Sequence, residues 1–149
     1  MHARVLLTVA VSAALGAAGC GSGDPHKIAS VSGRVTLNGK PLEKATVMFT
    51  PMAAPGTGSA GPASMGITDA DGHYSLKTIA LSESSGAVIG KHRVRITNAG
   101  EVWDPDVKKG PPPKPANPIP EKYNRLEGGL EFDVPAGGTS KADFTLTSP

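Results

Sequence analysis

The stretch that decides the fold is VSGRVTLNGKPLEKATVMF, residues 31 to 49. In its first half, hydrophobic residues alternate with polar ones, and this period of two is typical of a strand with one buried face. Asn38 and Gly39 come next, a dipeptide that adopts the two positive φ angles of a type I′ hairpin turn. The inward positions that we expect are Val31, Gly33, Val35 and Leu37, followed by Ala45, Val47 and Phe49 after the turn.

The same alternation continues along the rest of the chain. We expect a strand around Ile67, one carrying Tyr74 and Leu76, and one from about Val88 in which His92, Val94 and Ile96 are in phase. A last pair is expected with the inward residues Leu130, Phe132, Val134 and then Ala142, Phe144, Leu146, joined across residues 136–139. About seven short strands with turn signals between them, and no convincing helical periodicity, predict an all-β sandwich.

Two segments interrupt these strands. Residues 51–66 are rich in glycine, alanine and serine, which predicts a loop that contributes no core. Residues 104–120 hold seven of the 14 prolines and are expected to form an extended polyproline II loop.

Composition excludes several classes of protein. The chain has 149 residues, enough for one domain, with 19 glycines and 14 prolines, which is incompatible with a coiled coil or a helical bundle. The formal net charge of +2 argues against a nucleic-acid partner bound through bulk charge. The single cysteine excludes an intrachain disulfide framework.

The N-terminus has the pattern of an export signal. Arg4 is the only charged residue before Asp24, and residues 5–18 form an uncharged run of small and aliphatic side chains. As a helix these fourteen residues would span roughly 21 Å, less than the ~30 Å of a bilayer's hydrocarbon core. The run therefore indicates the apolar region of a signal peptide.

The run ends in Ala17-Ala18-Gly19-Cys20, which resembles the lipobox of bacterial lipoproteins. The resemblance implies cleavage before Cys20 and attachment of lipid to it, so that the partner of this end of the chain would be a membrane. Ordinary secretion is the alternative, although it would leave a lone exposed thiol. We expect a signal peptide over residues 1–19, a lipidated tether over 20–28 and one sandwich domain over 29–149.

The domain itself resembles the carboxypeptidase regulatory-like domain, which implies a transthyretin-like, seven-stranded Greek-key sandwich. The resemblance runs from about Ile28 to Leu146 and rests on turn formers and core residues rather than on chemistry. The matching positions are Val31, Gly33, Val35, Gly39, Pro41, Ala45, Val47, Thr68, Asp69, Asp71, Gly72, Tyr74, Val94 and Ile96. The segment from Ile119 to Asn124, IPEKYN, is also similar to one found in small bacterial lipoproteins that carry this domain.

Few residues suggest chemistry, and we expect no cofactor. Asp69 and Asp71 could begin a weak calcium site, but the twelfth residue of the loop is Ala80, not the glutamate of an EF-hand. A hairpin turn in which an aspartate caps the backbone and Gly72 takes a positive φ angle accounts for them better. His92, in phase with Val94, is expected to be a half-buried wall residue.

Lys91, Arg93 and Arg95 lie out of phase with the core positions and should form a basic row on an outer face. The row could bind an acidic envelope partner, or it could pair across strands with Glu131, Asp133 and Asp143. Trp103, beside the proline-rich segment, could pin that loop to the sandwich or remain an exposed anchor.

These observations predict a non-enzymatic, lipid-anchored envelope protein with a structural, adhesive, protein-binding or glycan-binding role. Two alternatives remain open. One is a carrier or sensor of a small ligand in a cleft beneath the long loops. The other is a degenerate hydrolase.

Overall fold

The fold is seen in a computed structural model, which describes residues 26–53, 59–80, 83–98, 118–127 and 129–148. Within these residues the chain is all-β, apart from a single 3-10 turn, Glu121–Tyr123. The strands are β1 (Ile28–Ala29), β2 (Ser32–Leu37), β3 (Lys40–Pro41), β4 (Ala45–Pro51), β5 (Ser64–Ile67), β6 (His73–Ser75), β7 (Lys77–Thr78), β8 (Ala87–Val88), β9 (Gly90–Asn98), β10 (Leu130–Val134) and β11 (Phe144–Leu146). The predicted all-β class is confirmed.

Two sheets carry most of the strands. The first has five strands in the order β10-β9-β4-β5-β7, all of them antiparallel to their neighbours. The second is built around β2, which pairs with the parallel strand β11 on one side and with β6 and β3 on the other. The short β1 and β8 form a separate antiparallel pair.

The core lies between the inward faces of these sheets, and the predicted alternation places its residues correctly. Every inward position expected on β2 and β4 is buried, as are Tyr74, Leu76, Val94 and Ile96. Phe49 of the five-stranded sheet contacts Phe144 of the other sheet, with ring centroids 6.1 Å apart. Aromatic packing of this kind joins the two layers through a continuous apolar interior.

The turn at Asn38 and Gly39 is confirmed, because both residues have positive φ angles, 51° and 79°. Its hairpin is short. After the two residues of β3, the chain leaves the sheet, and β4 pairs with β5 and β9 in the other layer.

The expected hairpin between the last two strands is wrong. β10 pairs with β9, whereas β11 lies parallel to β2 in the other sheet. Residues 135–143 therefore cross between the layers, and Thr139 is held beside β2 by a hydrogen bond from the amide of Ser32 to its carbonyl, 2.9 Å long. Alternation identifies a strand but not its partner, which explains the error.

The loop over residues 51–66 is shorter than expected, because both of its ends belong to strands. Pro51 closes β4 opposite His92, and Ser64 begins β5 opposite Phe49. A proline is compatible with the end of a strand, and Gly66 has no side chain where β5 approaches β6.

One close contact joins β6, β2 and the segment before β11 within the β2 sheet. Tyr74 of β6 lies opposite Gly33 of β2, and its hydroxyl donates a 2.6 Å hydrogen bond to the carbonyl of Ala142, on the far side of β2. A Cβ atom at Gly33 would overlap that same carbonyl. Burial raises the pKa of the Tyr74 hydroxyl well above its usual range, and Asp143 adds to the rise.

We predict that Tyr74→Phe lowers the free energy of unfolding by about 1–3 kcal/mol, because it leaves the buried Ala142 carbonyl without its donor. Urea denaturation followed by circular dichroism measures the loss. The matched control is Ser75→Ala, the next residue on β6, whose exposed side chain should change stability by no more than about 0.5 kcal/mol. Equal stability of the two variants would contradict the structural role of the hydroxyl.

Candidate functional site

The predicted basic row lies on the outer face of the five-stranded sheet. Lys91, Arg93 and Arg95 alternate along β9 with the buried His92, Val94 and Ile96. Lys91 is exposed, and the two arginines are half-buried. The hydrogen-bonding pattern of β9 with β4 and β10 thus holds three cations on one side of an interior strand of the sheet.

The acidic partners expected for this row are only partly where the sequence suggested. Glu131 lies directly opposite Arg93, and Asp133 lies opposite Lys91. Asp143 does not face the row, because it precedes β11 in the other sheet, where its carboxylate accepts a 2.8 Å hydrogen bond from the amide of Arg34.

Close ion pairs do not neutralise the row within the part of the chain that the structure describes. There, neither Lys91, Arg93 nor Arg95 has a carboxylate oxygen within 4.0 Å. The guanidinium of Arg95 instead lies 3.3 Å from the sulfur of Met48. Adjacent carboxylates lower the local potential, but the cationic groups remain available to an external anion.

Three outward residues extend this surface and were missed by sequence reasoning. Met48 and Met65 face each other across β4 and β5, and Lys77 of β7 lies opposite Met65. Together with Arg95, opposite Met48 on β9, they form one row across four strands. The outward phase of Met48 and Lys77 was readable from alternation, but Met65 fell within the predicted loop 51–66, and the order of the strands was not readable. We call this row and the row of Lys91, Arg93 and Arg95 together the basic face.

The two aspartates predicted as a turn or a weak calcium site form a turn. One carboxylate oxygen of Asp69 accepts hydrogen bonds from the backbone amides of Asp71 and His73, at 3.0 and 2.9 Å. Gly72 has the expected positive φ angle of 78°. Nowhere in the described residues do three or more His, Cys, Asp or Glu side chains come together as metal ligands could.

A shallow hollow of about 540 Å³ lies beside this turn. Its lining is mostly polar and comprises Ser32, Gly33, Ile67, Asp69, His73, Tyr74, Ser75 and Ser140. None of these residues belongs to residues 51–66 or 104–120, the loops beneath which the carrier alternative places its cleft.

His92 is fully buried rather than half-buried, which corrects the expectation from its phase. Its ring lies against Phe49, with centroids 5.6 Å apart, and its Nδ1 is 2.9 Å from the carbonyl of Gly90. Its Nε2 is buried without a hydrogen-bond partner. Burial lowers the pKa of this imidazole, and the Gly90 carbonyl and Asp133 oppose that shift. The neutral ring, with its proton on Nδ1, fits these contacts.

Because the pKa of His92 is lower in the folded chain than its ordinary 6.5, the unfolded chain binds the proton more readily. The free energy of unfolding should therefore fall as the pH drops below 6.5. Because His92→Phe removes this imidazole, the free energy of unfolding of the variant should fall less between pH 6.5 and about pH 5. Thermal unfolding measured across this range tests the prediction.

His73→Gln is the matched control, because the His73 side chain is already exposed in the folded protein. It should keep the pH dependence of the original chain. A His92→Phe variant with that same pH dependence would show that burial of His92 has no effect on proton binding.

Several predicted sites lie outside the described residues. They are the lipid attachment residue Cys20, the signal peptide 1–19, Trp103, and residues 104–117 of the proline-rich loop. Within the residues that are described, none of the helical structure has the length and hydropathy needed to cross a bilayer.

Comparison with known proteins adds no relative. No protein-family model, curated protein or solved structure matches the chain.

Proposed function

We propose that this chain is a lipid-anchored envelope protein whose β-sandwich binds an anionic partner, protein or glycan, through the basic face. The role is non-catalytic. The observation that carries the proposal is the row of Lys91, Arg93 and Arg95 on the interior strand β9. In the described residues, these side chains have no carboxylate oxygen within 4.0 Å.

The spacing of the row suits an extended polyanion. Alternate residues of a strand are about 6.6 Å apart, so three cations cover about 13 Å along β9. Arginine can bind a carboxylate, sulfate or phosphate group through two parallel hydrogen bonds. Met48 and Met65 add adaptable apolar contacts beside the charges. These features support recognition of a chain with repeated negative groups rather than of a small neutral ligand.

The proposed fold is the Greek-key, transthyretin-like sandwich of a carboxypeptidase regulatory-like domain. Seven of the strands, β2, β4, β5, β6, β9, β10 and β11, correspond to the seven expected from the sequence. These strands divide into β6-β2-β11 and β5-β4-β9-β10, and the chain changes layer at four of the six connections between them. This division supports the assignment.

The proposed anchor is lipid on Cys20, with the tether 20–28 leading into β1. The support is the uncharged run of residues 5–18 before Ala17-Ala18-Gly19-Cys20. Two acyl chains on one cysteine give stable membrane attachment, whereas a single chain binds reversibly.

Cys20→Ser should abolish lipid attachment and leave the chain either unprocessed or soluble. Metabolic labelling with a fatty acid, together with fractionation of membranes, measures both effects. A Cys20→Ser chain that is still processed and remains in the membrane fraction would contradict the anchor.

Charge reversal of the row, with Lys91→Glu, Arg93→Glu and Arg95→Glu, should abolish capture of the partner. The measurement is crosslinking of the intact lipoprotein in native envelopes, followed by mass spectrometry of what it retains. The wild-type chain should capture one saturable partner, and added salt should weaken that capture.

The matched control reverses three exposed lysines that lie outside the basic face, with Lys40→Glu, Lys44→Glu and Lys141→Glu. It changes the net charge equally and should retain capture. New carboxylates beside Glu131 could destabilise the sheet and so abolish capture indirectly. A neutral Lys91→Gln, Arg93→Gln, Arg95→Gln variant removes the positive charges without adding carboxylates and should also lose capture. Equal capture by the row variants and the control would contradict the proposed contact.

The hollow beside the turn favours a second candidate, a carrier of a small polar ligand. Ser32, Ser75 and Ser140 present hydroxyl groups there, and His73 presents an imidazole. If the wild-type chain captures no macromolecule, this hollow becomes the leading candidate site.

A further inference from the structure

We propose that one end of the sandwich rests on the lipid bilayer that anchors the chain, with Met52 and Ile79 in contact with lipid. We call it the anchor end and define it by Lys27, Met52, Ile79, Ile89 and Lys91. This inference rests on the proposed lipidation of Cys20.

Hydrogen bonds show that these residues share one end of the fold. The carbonyl of Lys27 accepts a hydrogen bond of 2.9 Å from the amide of Ile89, immediately before β9. The amide of Met52, immediately after β4, donates a hydrogen bond of 2.8 Å to the carbonyl of Lys91. Ile79 follows β7, whose Thr78 lies opposite Ser64 at the start of β5. In this antiparallel sheet, the start of β9 and β5 and the end of β4 and β7 point the same way.

The anchor end exposes large apolar side chains. Met52 is 36% exposed and Ile79 is 52% exposed, and they are two of the four large exposed hydrophobic residues in the described chain. Small apolar residues at the same end, Ala53, Ala80, Pro135 and Ala136, are also exposed. Single exposed hydrophobic residues need no explanation, but a group at the end that carries the tether does.

The tether keeps this end near the membrane. Seven residues lie between Cys20 and Ile28, so the eight Cα–Cα steps reach at most about 28 Å. β9 has nine residues, so the opposite end of the sheet lies about 30 Å farther away. A tether of this maximum reach keeps the anchor end closer to the bilayer than the opposite end.

The charges at the anchor end suit the edge of an anionic bilayer. Lys27 and Lys91 are exposed beside the apolar residues. Lys77 is also exposed and lies on β7, two residues before Ile79. Among the residues that the structure describes, Glu83 and Asp133 are the acidic ones nearby, so the positive excess is small. Apolar contact therefore provides the main attraction, and the lysines place their charges at the level of the head groups.

Contact at this end would orient the rest of the molecule. The strands of the five-stranded sheet would extend outward from the membrane. The basic face would then lie roughly perpendicular to the membrane surface. A partner in the envelope could then reach Arg93 and Arg95 without displacing lipid.

The experiment uses the lipidated full chain in vesicles of equal parts phosphatidylglycerol and phosphatidylethanolamine. Cys20 is the only cysteine and is acylated, so a second cysteine accepts an environment-sensitive fluorophore selectively. The test variants are Met52→Cys and Ile79→Cys. The matched control is Ile67→Cys at the far end of β5, where the isoleucine is 57% exposed. Leu126→Cys, at 40% exposure before β10, is a second control.

We expect a blue shift, higher emission and quenching by nitroxide-labelled lipid at positions 52 and 79, and none of these at 67 and 126. Flotation of the vesicles tests the anchor separately. Protein that does not float would overturn both lipidation and lipid contact. Floating protein in which position 79 behaves like position 67 would overturn lipid contact alone. Shielding of position 79 in native membranes but not in the vesicles would also overturn it and would indicate a protein partner.

Discussion

The fold depends on one close approach between β2 and the segment that leads into β11. Because Gly33 has no side chain, the carbonyl of Ala142 can approach β2 closely. It then accepts a hydrogen bond from the hydroxyl of Tyr74, which lies on the other side of β2. On the opposite layer, a Cβ at Gly66 would overlap the carbonyl of Ser75. Two glycines thus allow β6 to fit between β2 and β5, and the tyrosine ring fills the space that they leave.

The packed interior limits where the protein can bind a ligand. The inward faces are filled by side chains, including the contacts of Phe49 with Phe132 and Phe144 at 5.7 and 6.1 Å. Ligands therefore meet the described part of the molecule at an outer face, at an end or in the shallow hollow. The basic face and the anchor end are two such surfaces, and Lys91 lies where they meet. The proposed contacts with a partner and with a membrane are compatible, because the two surfaces point in different directions.

Local signals made much of the fold predictable. Period-two alternation located the core residues of β2, β4 and β9, and Asn38-Gly39 identified a turn by its backbone chemistry alone. Pairing was not predictable, because alternation is the same for any partner. The parallel pairing of β11 with β2 therefore appeared only in the structure, and so did the placement of Asp143 away from the basic row.

The candidate site shows the same division. The outward phase of Lys91, Arg93 and Arg95 was visible in the sequence, but their approach to Met48, Met65 and Lys77 depends on strand order. The full burial of His92 could not be predicted either. A period of two shows on which side of the sheet a side chain lies, but it does not show how completely the opposite layer covers that side chain. That Met52 and Ile79 lie at the same end of the sheet could likewise not be predicted without knowing which strands end there.

Amide hydrogen exchange of Gly33→Ala, resolved by peptide, tests most directly the claim that this close approach holds β6 and β11 against β2. The matched control is Gly137→Ala, where an added Cβ would meet nothing within 4 Å. The account predicts that Gly33→Ala loses protection over residues 142–146 and 73–75, whereas Gly137→Ala retains it. Unchanged protection of both segments in Gly33→Ala would contradict the account.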